Sequence, residues 1–322
     1  MTGGLLQLSG VVADLLYSVE HVPAPGQEAL VTGFQIAPGG GFNAMVAAKR
    51  AGMTVSYGGS IGSGPFATIA RAGLDAQAIP TLRNKDMARD QGCCTVLIDR
   101  DGERTFIASD GAEGHVSPGD LDQIPFDDFE WTLLSGYALH YPNSRAALSD
   151  WLRRDTSRAQ LVFDPAPIIG ALAPQDVQAA LSRANWISAN LQEASILTGH
   201  SDAVMAAKAL ARDRTGGAIV RNGAAGCVLA TGQACIEIPP FEVAAIDTNG
   251  AGDAHIGSFI ARLSQTQDPQ RAAEFANVAA ALSTTIKGPA TAPTAQQVAA
   301  AQNLPPHNAP KRPIQSNKEN TK

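Results

Sequence analysis

The chain has little of several things, and each shortage removes a class of function. Its four cysteines, Cys93, Cys94, Cys227 and Cys235, carry no zinc-ligand spacing, and the adjacent pair is badly placed for an ordinary disulfide, so they read as reduced thiols. Only 17% of residues are charged, and 24 basic side chains against 30 acidic ones leave a net charge of −6. A nucleic-acid binder would normally be basic, with a Lys/Arg stripe, so that class is argued against. No apolar run approaches the roughly 20 residues that cross a bilayer, and the N-terminus lacks the basic start and cleavage site of a signal peptide. The expectation is a cytoplasmic protein with no membrane partner. There is no Gly-x-x-x-x-Gly-Lys-Ser/Thr, which argues against a P-loop NTPase, and no fixed-period repeat.

What the 322 residues do contain, 44% of them apolar, is enough to bury one large α/β core. Apolar runs at 131–134, 161–163, 186–188, 218–220 and 226–230 read as strands, and helical stretches at 144–154, 174–183, 191–197 and 203–214 lie between most of them. Such alternation means βαβ units and a mostly parallel sheet covered on both faces. Leu5 to Val12 reads as a first buried strand with Asp14 at its end, where ligands meet open parallel sheets. Val31 to Ile36 reads as part of an antiparallel flap. Thr95 to Ile98 and Glu103 to Ile107, joined through Asp101-Gly102, form a hairpin. Arg271 to Ile286 and Ala295 to Ala301 are further helices. From Pro305 to Lys322 the composition is that of a disordered tail.

Two glycine-rich turns each open a helix. One is Pro38-Gly39-Gly40-Gly41-Phe42-Asn43. The other, Asp247-Thr248-Asn249-Gly250-Ala251-Gly252-Asp253, precedes the apolar spacing of Ala254, Ile256, Phe259, Ile260 and Leu263. Unpartnered N–H groups at a helix start bind anions, and a carboxylate in that first turn can take a proton from a hydroxyl attacking a bound phosphate. Asp and Gly at a helix start also serve as ordinary caps, so the chemistry depends on context. His255, on the next face of that helix, reads as a packing residue, Arg104 as a solvated strand residue or else a substrate contact, and Trp131, Trp151 and Trp186 as fillers of core or surface grooves. Phe42 and Tyr137 are read equally as core or as a stacking platform for a base or apolar aglycone.

The order of these features, with Phe163-Asp164-Pro165-Ala166-Pro167, Asn190-Leu191-Gln192-Glu193-Ala194 and Val220 to Gly226 between them, resembles the ribokinase-like (PfkB) family of sugar and nucleoside kinases over about residues 5 to 300. The resemblance implies a three-layer α/β/α sandwich with a small β-sheet lid, a kinase domain over 1–304 whose lid comes from about 12–36 and 95–107, and pairing of two subunits through the lid. It implies ATP and Mg²⁺ as cofactors, with K⁺ as a third, and a small sugar or a nucleoside as substrate. By matching position, Asp253 is the catalytic base and Gly250, Ala251 and Gly252 form an anion hole. Asp14, Gly40, Gly41 and Asn43 match substrate-binding positions. Asn190, Arg221, Gly223, Gly226, Asn277 and Gly288 flank the nucleotide, Glu193 helps arrange the Mg²⁺ shell indirectly, and Asp247 matches a monovalent-cation site. A nucleoside kinase and a catalytically idle sugar-binding regulator are the alternatives. Departures touch the substrate: the first turn has no lysine between its glycines, and no acidic pair follows Gly62.

Overall fold

The computed structural model describes residues 4–303. The tail expected over 305–322 lies outside the described residues. Twelve strands form two sheets. They are β1 (Gly4–Gln7), β2 (Val11–Val19), β3 (Val31–Gly40), β4 (Thr54–Tyr57), β5 (Cys93–Ile98), β6 (Arg104–Ser109), β7 (Trp131–Ser135), β8 (Gln160–Asp164), β9 (Trp186–Asn190), β10 (Gly217–Arg221), β11 (Cys227–Thr231) and β12 (Cys235–Ile238). The large sheet has the order β12-β11-β10-β9-β8-β7-β1-β4. Its pairings are parallel from β10 to β4, while β11 and β12 add an antiparallel edge. The smaller sheet, β3-β2-β5-β6, is built from the segments expected to form the lid.

Among the described residues eleven α-helices accompany them: α1 (Phe42–Arg50), α2 (Pro65–Ala76), α3 (Pro118–Asp122), α4 (Gly136–His140), α5 (Pro142–Arg154), α6 (Pro174–Arg183), α7 (Leu191–Thr198), α8 (Ala203–Ala211), α9 (Ala251–Thr266), α10 (Pro269–Ser283) and α11 (Ala295–Gln302). Successive strand side chains point to opposite faces, so each buried strand serves two cores. Leu5, Leu133, Val162 and Ile219 pack with α1, α2, α9, α10 and α11. Their neighbours Leu6, Leu134, Phe163 and Val220 pack with α3 to α8. Trp131, Trp151 and Trp186 all lie in these cores.

One expected strand is two. The apolar run from Leu5 to Val12 leaves the large sheet after Gln7 and re-enters as β2 of the lid at Val11. The run reads as continuous because both strands are buried. Gly10 permits the break, since a Cβ there would lie 2.5 Å from the Glu113 side chain. Asp14 therefore sits within a lid strand and not beyond the end of a core strand. Glu113 fixes the root of the lid: its buried carboxylate accepts from the amides of Gly92, before β5, and Gly111, after β6, and from Gln91, whose amide also donates to Val11.

Candidate active site

The carboxyl ends of the parallel strands set the floor. β7 and β8 end at paired Ser135 and Asp164, and β9 and β10 at paired Asn190 and Arg221, so three charged or amide side chains leave the sheet on one edge. Arg221 gathers them. Its guanidinium donates to the Gly252 carbonyl at 3.0 Å and approaches Glu193 at 3.5 Å and Asp164 at 3.7 Å. Asn190 caps α7 reciprocally with Glu193: the Asn190 side chain accepts from the Glu193 amide at 2.8 Å, and the Glu193 carboxylate accepts from the Asn190 amide at 2.8 Å and its side chain at 2.7 Å. Burial pushes the Asp164 and Glu193 carboxyls above their usual range, and the Arg221 charge opposes that push in both.

Helix α9 brings the second half. Gly250 precedes it in a left-handed conformation, φ 71°, which turns the chain so that the first-turn amides point out of the helix. The Ala251 amide donates back to Thr248 at 3.3 Å, whereas those of Gly250, Gly252 and Asp253 have no acceptor among the described residues. The open donors of the expected anion hole are thus Gly250 and Gly252, with the Asp253 amide beside them, and Ala251 is engaged in the turn itself. Asp253 is buried, and burial, reinforced by the Asp164 charge, raises its carboxyl to about 7 against the pull of Asn43 and Arg221.

Asn43 reaches Asp253 because two helices touch closely. Gly257, one turn into α9, faces α1 so tightly that a Cβ would lie 2.2 Å from the Ala44 carbonyl and 2.8 Å from the Ala47 methyl. That contact aligns the first turns of α1 and α9, and the Asn43 side chain donates to the Asp253 carboxylate at 3.2 Å while accepting from the Ala290 amide at 3.0 Å. Gly40 and Gly41 shape the approach. Gly40 is left-handed, φ 61°, and a Cβ on it would lie 2.6 Å from the Gly10 carbonyl, to which Gly41 donates at 2.9 Å. Asp14 lies over Gly39, where a Cβ would stand 2.0 Å from its carboxylate, and burial raises its carboxyl to about 7. Its charge is among those that raise the Asp253 carboxyl.

The remaining expected residues divide. Gly223 and Gly226 form the exposed-to-buried turn between β10 and β11, both with positive φ, next to Arg221. Gly288 donates its amide to Asp247 at 3.0 Å. Asn277 is buried with its polar atoms committed inside the protein: its side-chain oxygen accepts from His255 Nε2 at 3.1 Å and its side-chain nitrogen donates to the Ile238 and Pro239 carbonyls. The structure therefore turns Asn277 away from an open site and makes it the partner of His255, whose imidazole burial lowers to about 3 and keeps neutral.

Arg104 departs most from its reading as a solvated strand residue. Its guanidinium is paired with Asp247, and the two side chains are only 17% and 11% exposed. Two other residues escaped sequence reasoning. Asp164 served only as a signpost. Asp90 caps α2 from a distant loop, its carboxylate accepting from Phe66 and Ala67 where the local sequence has no acid. Phe42 is core, whereas Tyr137 is 46% exposed and its hydroxyl feels Asp164, Glu193 and Asp253. Among the described residues no group of three or more His, Cys, Asp or Glu converges to hold a metal by itself, and no helix is long and apolar enough to cross a membrane.

The family model described as pfkB family carbohydrate kinase matches residues 10–296. A protein of Halopiger xanaduensis named ATP-dependent ribose-1-phosphate kinase is 30% identical over 292 residues, covering 89% of this chain and 94% of its own. A ribokinase of Haemophilus influenzae is 28% identical over 301 residues, covering 91% and 96%. The fold matches that of Arabidopsis thaliana ribokinase, solved with ribose and ATP, at a TM-score of 0.78 and 19% identity, covering 95% of this chain and 100% of the other.

Proposed function

The chain belongs to the pfkB family of carbohydrate kinases, and on that premise we propose that it transfers the γ-phosphoryl group of ATP to a hydroxyl of a small sugar. One observation carries the reading. A carboxylate with raised proton affinity, Asp253, stands in the first turn of α9 beside unengaged amide donors. The acceptor hydroxyl gives its proton to Asp253, its oxygen bonds to the γ-phosphorus, and the bond to the β-phosphate oxygen breaks to release ADP. The amides of Gly250 and Gly252, with that of Asp253 beside them, face the charge that shifts during transfer.

Asp14, Asn43 and the backbone from Gly39 to Gly41 hold the sugar, and the lid above them excludes water, which would otherwise compete for the phosphoryl group. Arg221, Asn190 and the turn from Gly223 to Gly226 border the nucleotide. Asp164 and Glu193 are paired with Arg221, so a divalent cation carried in with the nucleotide phosphates would meet these carboxylates through its own water shell and not as a ready donor set. Mg²⁺ bound there supplies neutralisation of phosphate charge. Glu193, with both oxygens already accepting from Asn190, acts on that shell through water.

Pairing of two chains through the lid is supported by exposed apolar side chains on its edge strands, Val31, Phe34 and Ile36 on β3 and Phe106 and Ile107 on β6. A nucleoside acceptor is favoured by one feature, the half-exposed ring of Tyr137 at the floor, which offers a stacking face.

The test is ADP release from ATP in the presence of ribose, deoxyribose, ribose 1-phosphate, fructose, 2-keto-3-deoxygluconate and nucleosides, with phosphorylated product identified by mass. Selective turnover of a sugar supports the reading. Selective turnover of nucleosides replaces it with the second one, and release no faster than with water alone contradicts both.

A further inference from the structure

Asp247 stands at a corner where three separate segments meet. One carboxylate oxygen accepts from the Asn249 amide at 2.9 Å, inside the turn that leads to Gly250. The other accepts from the Gly288 amide at 3.0 Å, in the loop after α10. Arg104, reaching down from lid strand β6, donates to the same oxygen as Asn249. Gln35 of β3 also touches this corner, since a Cβ on Gly288 would lie 3.4 Å from its amide. Asp247 thus accepts from two backbone amides and a guanidinium, the surroundings of an ionised carboxylate.

An ionised carboxylate behind an anion-binding turn works against the phosphate the turn must hold, unless a positive charge sits on it. The family resemblance assigns that charge to a monovalent cation. Here the carboxylate is already paired with a cation of the chain itself, the Arg104 guanidinium. A guanidinium cannot lose its proton, so the charge is permanent. A second monovalent cation on the same carboxylate would stand beside it, and two like charges at such a separation repel.

We propose that Arg104 is the built-in counter-ion of Asp247, so that this chain works without potassium or any other monovalent cation. The inference rests on the kinase reading only for its effect on turnover. Arg104 is a positioning residue: it keeps Asp247 neutralised and the Asn249 and Gly288 amides in place, and these fix the segments on either side of the Gly250–Asp253 turn. Because Arg104 belongs to the lid, the counter-ion is delivered by the element that covers the acceptor, and a lid lifted away would leave the anion-binding turn backed by a bare carboxylate.

The test compares the wild-type protein with Arg104→Met, which keeps most of the side-chain volume without the charge, in choline, sodium and potassium chloride at equal ionic strength. Melting temperature is measured first, since it does not depend on knowing the acceptor. The wild type should melt at the same temperature in all three salts. Arg104→Met should be stabilised by potassium by about 2–5 °C, the shift expected when an ion binds only the folded state. With the best acceptor, wild-type turnover should differ less than about twofold between choline and potassium, while Arg104→Met should fall at least about tenfold in choline and recover in potassium. Should Arg104→Met fail to fold, Arg104→Gln takes its place, and Arg104→Lys should remain indifferent to potassium as the wild type does. A wild-type protein stabilised or activated by potassium overturns the proposal, and so does a charge-deleted variant that ignores it. If no acceptor is turned over in any salt, it is the kinase reading that fails, and the melting temperatures still decide the counter-ion.

Discussion

Asn43 and Asp253 lie 210 residues apart in the chain and 3.2 Å apart in space, the side-chain amide of one donating to the carboxylate of the other. The contact joins the first turn of the helix that follows the lid to the first turn of the helix that carries the base. It does two things at once. It aims the carboxylate into the cleft, and it favours the ionised form of a group that burial would otherwise keep protonated.

Removing that donor should therefore change a pH profile as well as a rate. A base works when ionised, so kcat/KM should rise with pH through an acid limb near 7, the value to which Asp253 is raised. Asn43→Ala should move the limb to higher pH and lower the plateau by about tenfold or more, the loss of one hydrogen bond to a charged group. An unmoved limb in Asn43→Ala would mean that the limb reports another group.

The close approach that makes the contact rests on Gly257. With Ala44 backbone 2.2 Å from any added Cβ, Gly257→Val must separate α1 from α9. The expected cost is about 1–3 kcal/mol or more, read as a lower midpoint in urea, together with loss of turnover. A variant as stable and as active as the wild type would show that the helices are not held at this distance.

Stability should depend on pH in an unusual direction. Asp253 and Asp14 have folded-state values raised from 3.8 to about 7. For raised groups the stabilisation is complete below the unfolded value and is lost as pH rises through the folded one, here between about 4 and 7. Asp253→Asn removes one of these groups. It should melt above the wild type at pH 8 and level with it at pH 4, in the absence of ligands. Equal melting temperatures at both values would contradict the raised carboxyl.

The edge strands of the lid expose apolar surface that a second copy would cover. Sedimentation should show a dimer, and Phe106→Glu, at a side chain 60% exposed, should shift it to monomer without lowering the melting temperature of the fold by more than about 2 °C. A wild-type protein that sediments as a monomer at all concentrations would remove the lid pairing.

How far the residues alone disclosed this depends on the range of the interactions. The alternation of buried strands and helices, and the late turn ending in Asp253, are local patterns, and they placed the parallel sheet, the hairpin of the lid and the helix α9. Periodicity could not divide Leu5 to Val12, because two buried strands of different sheets look alike when the break is a single Gly10. The residues read least well are those whose roles are set across the fold. Arg104 looks like any exposed strand residue until β6 is laid over Asp247. Asp90 caps a helix 23 to 24 residues before it. Asn277 resembles a nucleotide contact by position, yet its side chain turns inward to His255 and the 238–239 carbonyls. No local signal carries such pairings.

The central claim is that Asp253 takes the proton of the acceptor hydroxyl. Single-turnover phosphoryl transfer from ATP to the best acceptor, measured for the wild type and Asp253→Asn with both proteins saturated by nucleotide and acceptor, tests it most directly. The account predicts a rate reduced on the order of 10²-fold or more, with nucleotide affinity little changed and no acid limb left near pH 7. A rate within a few-fold of the wild type would contradict it.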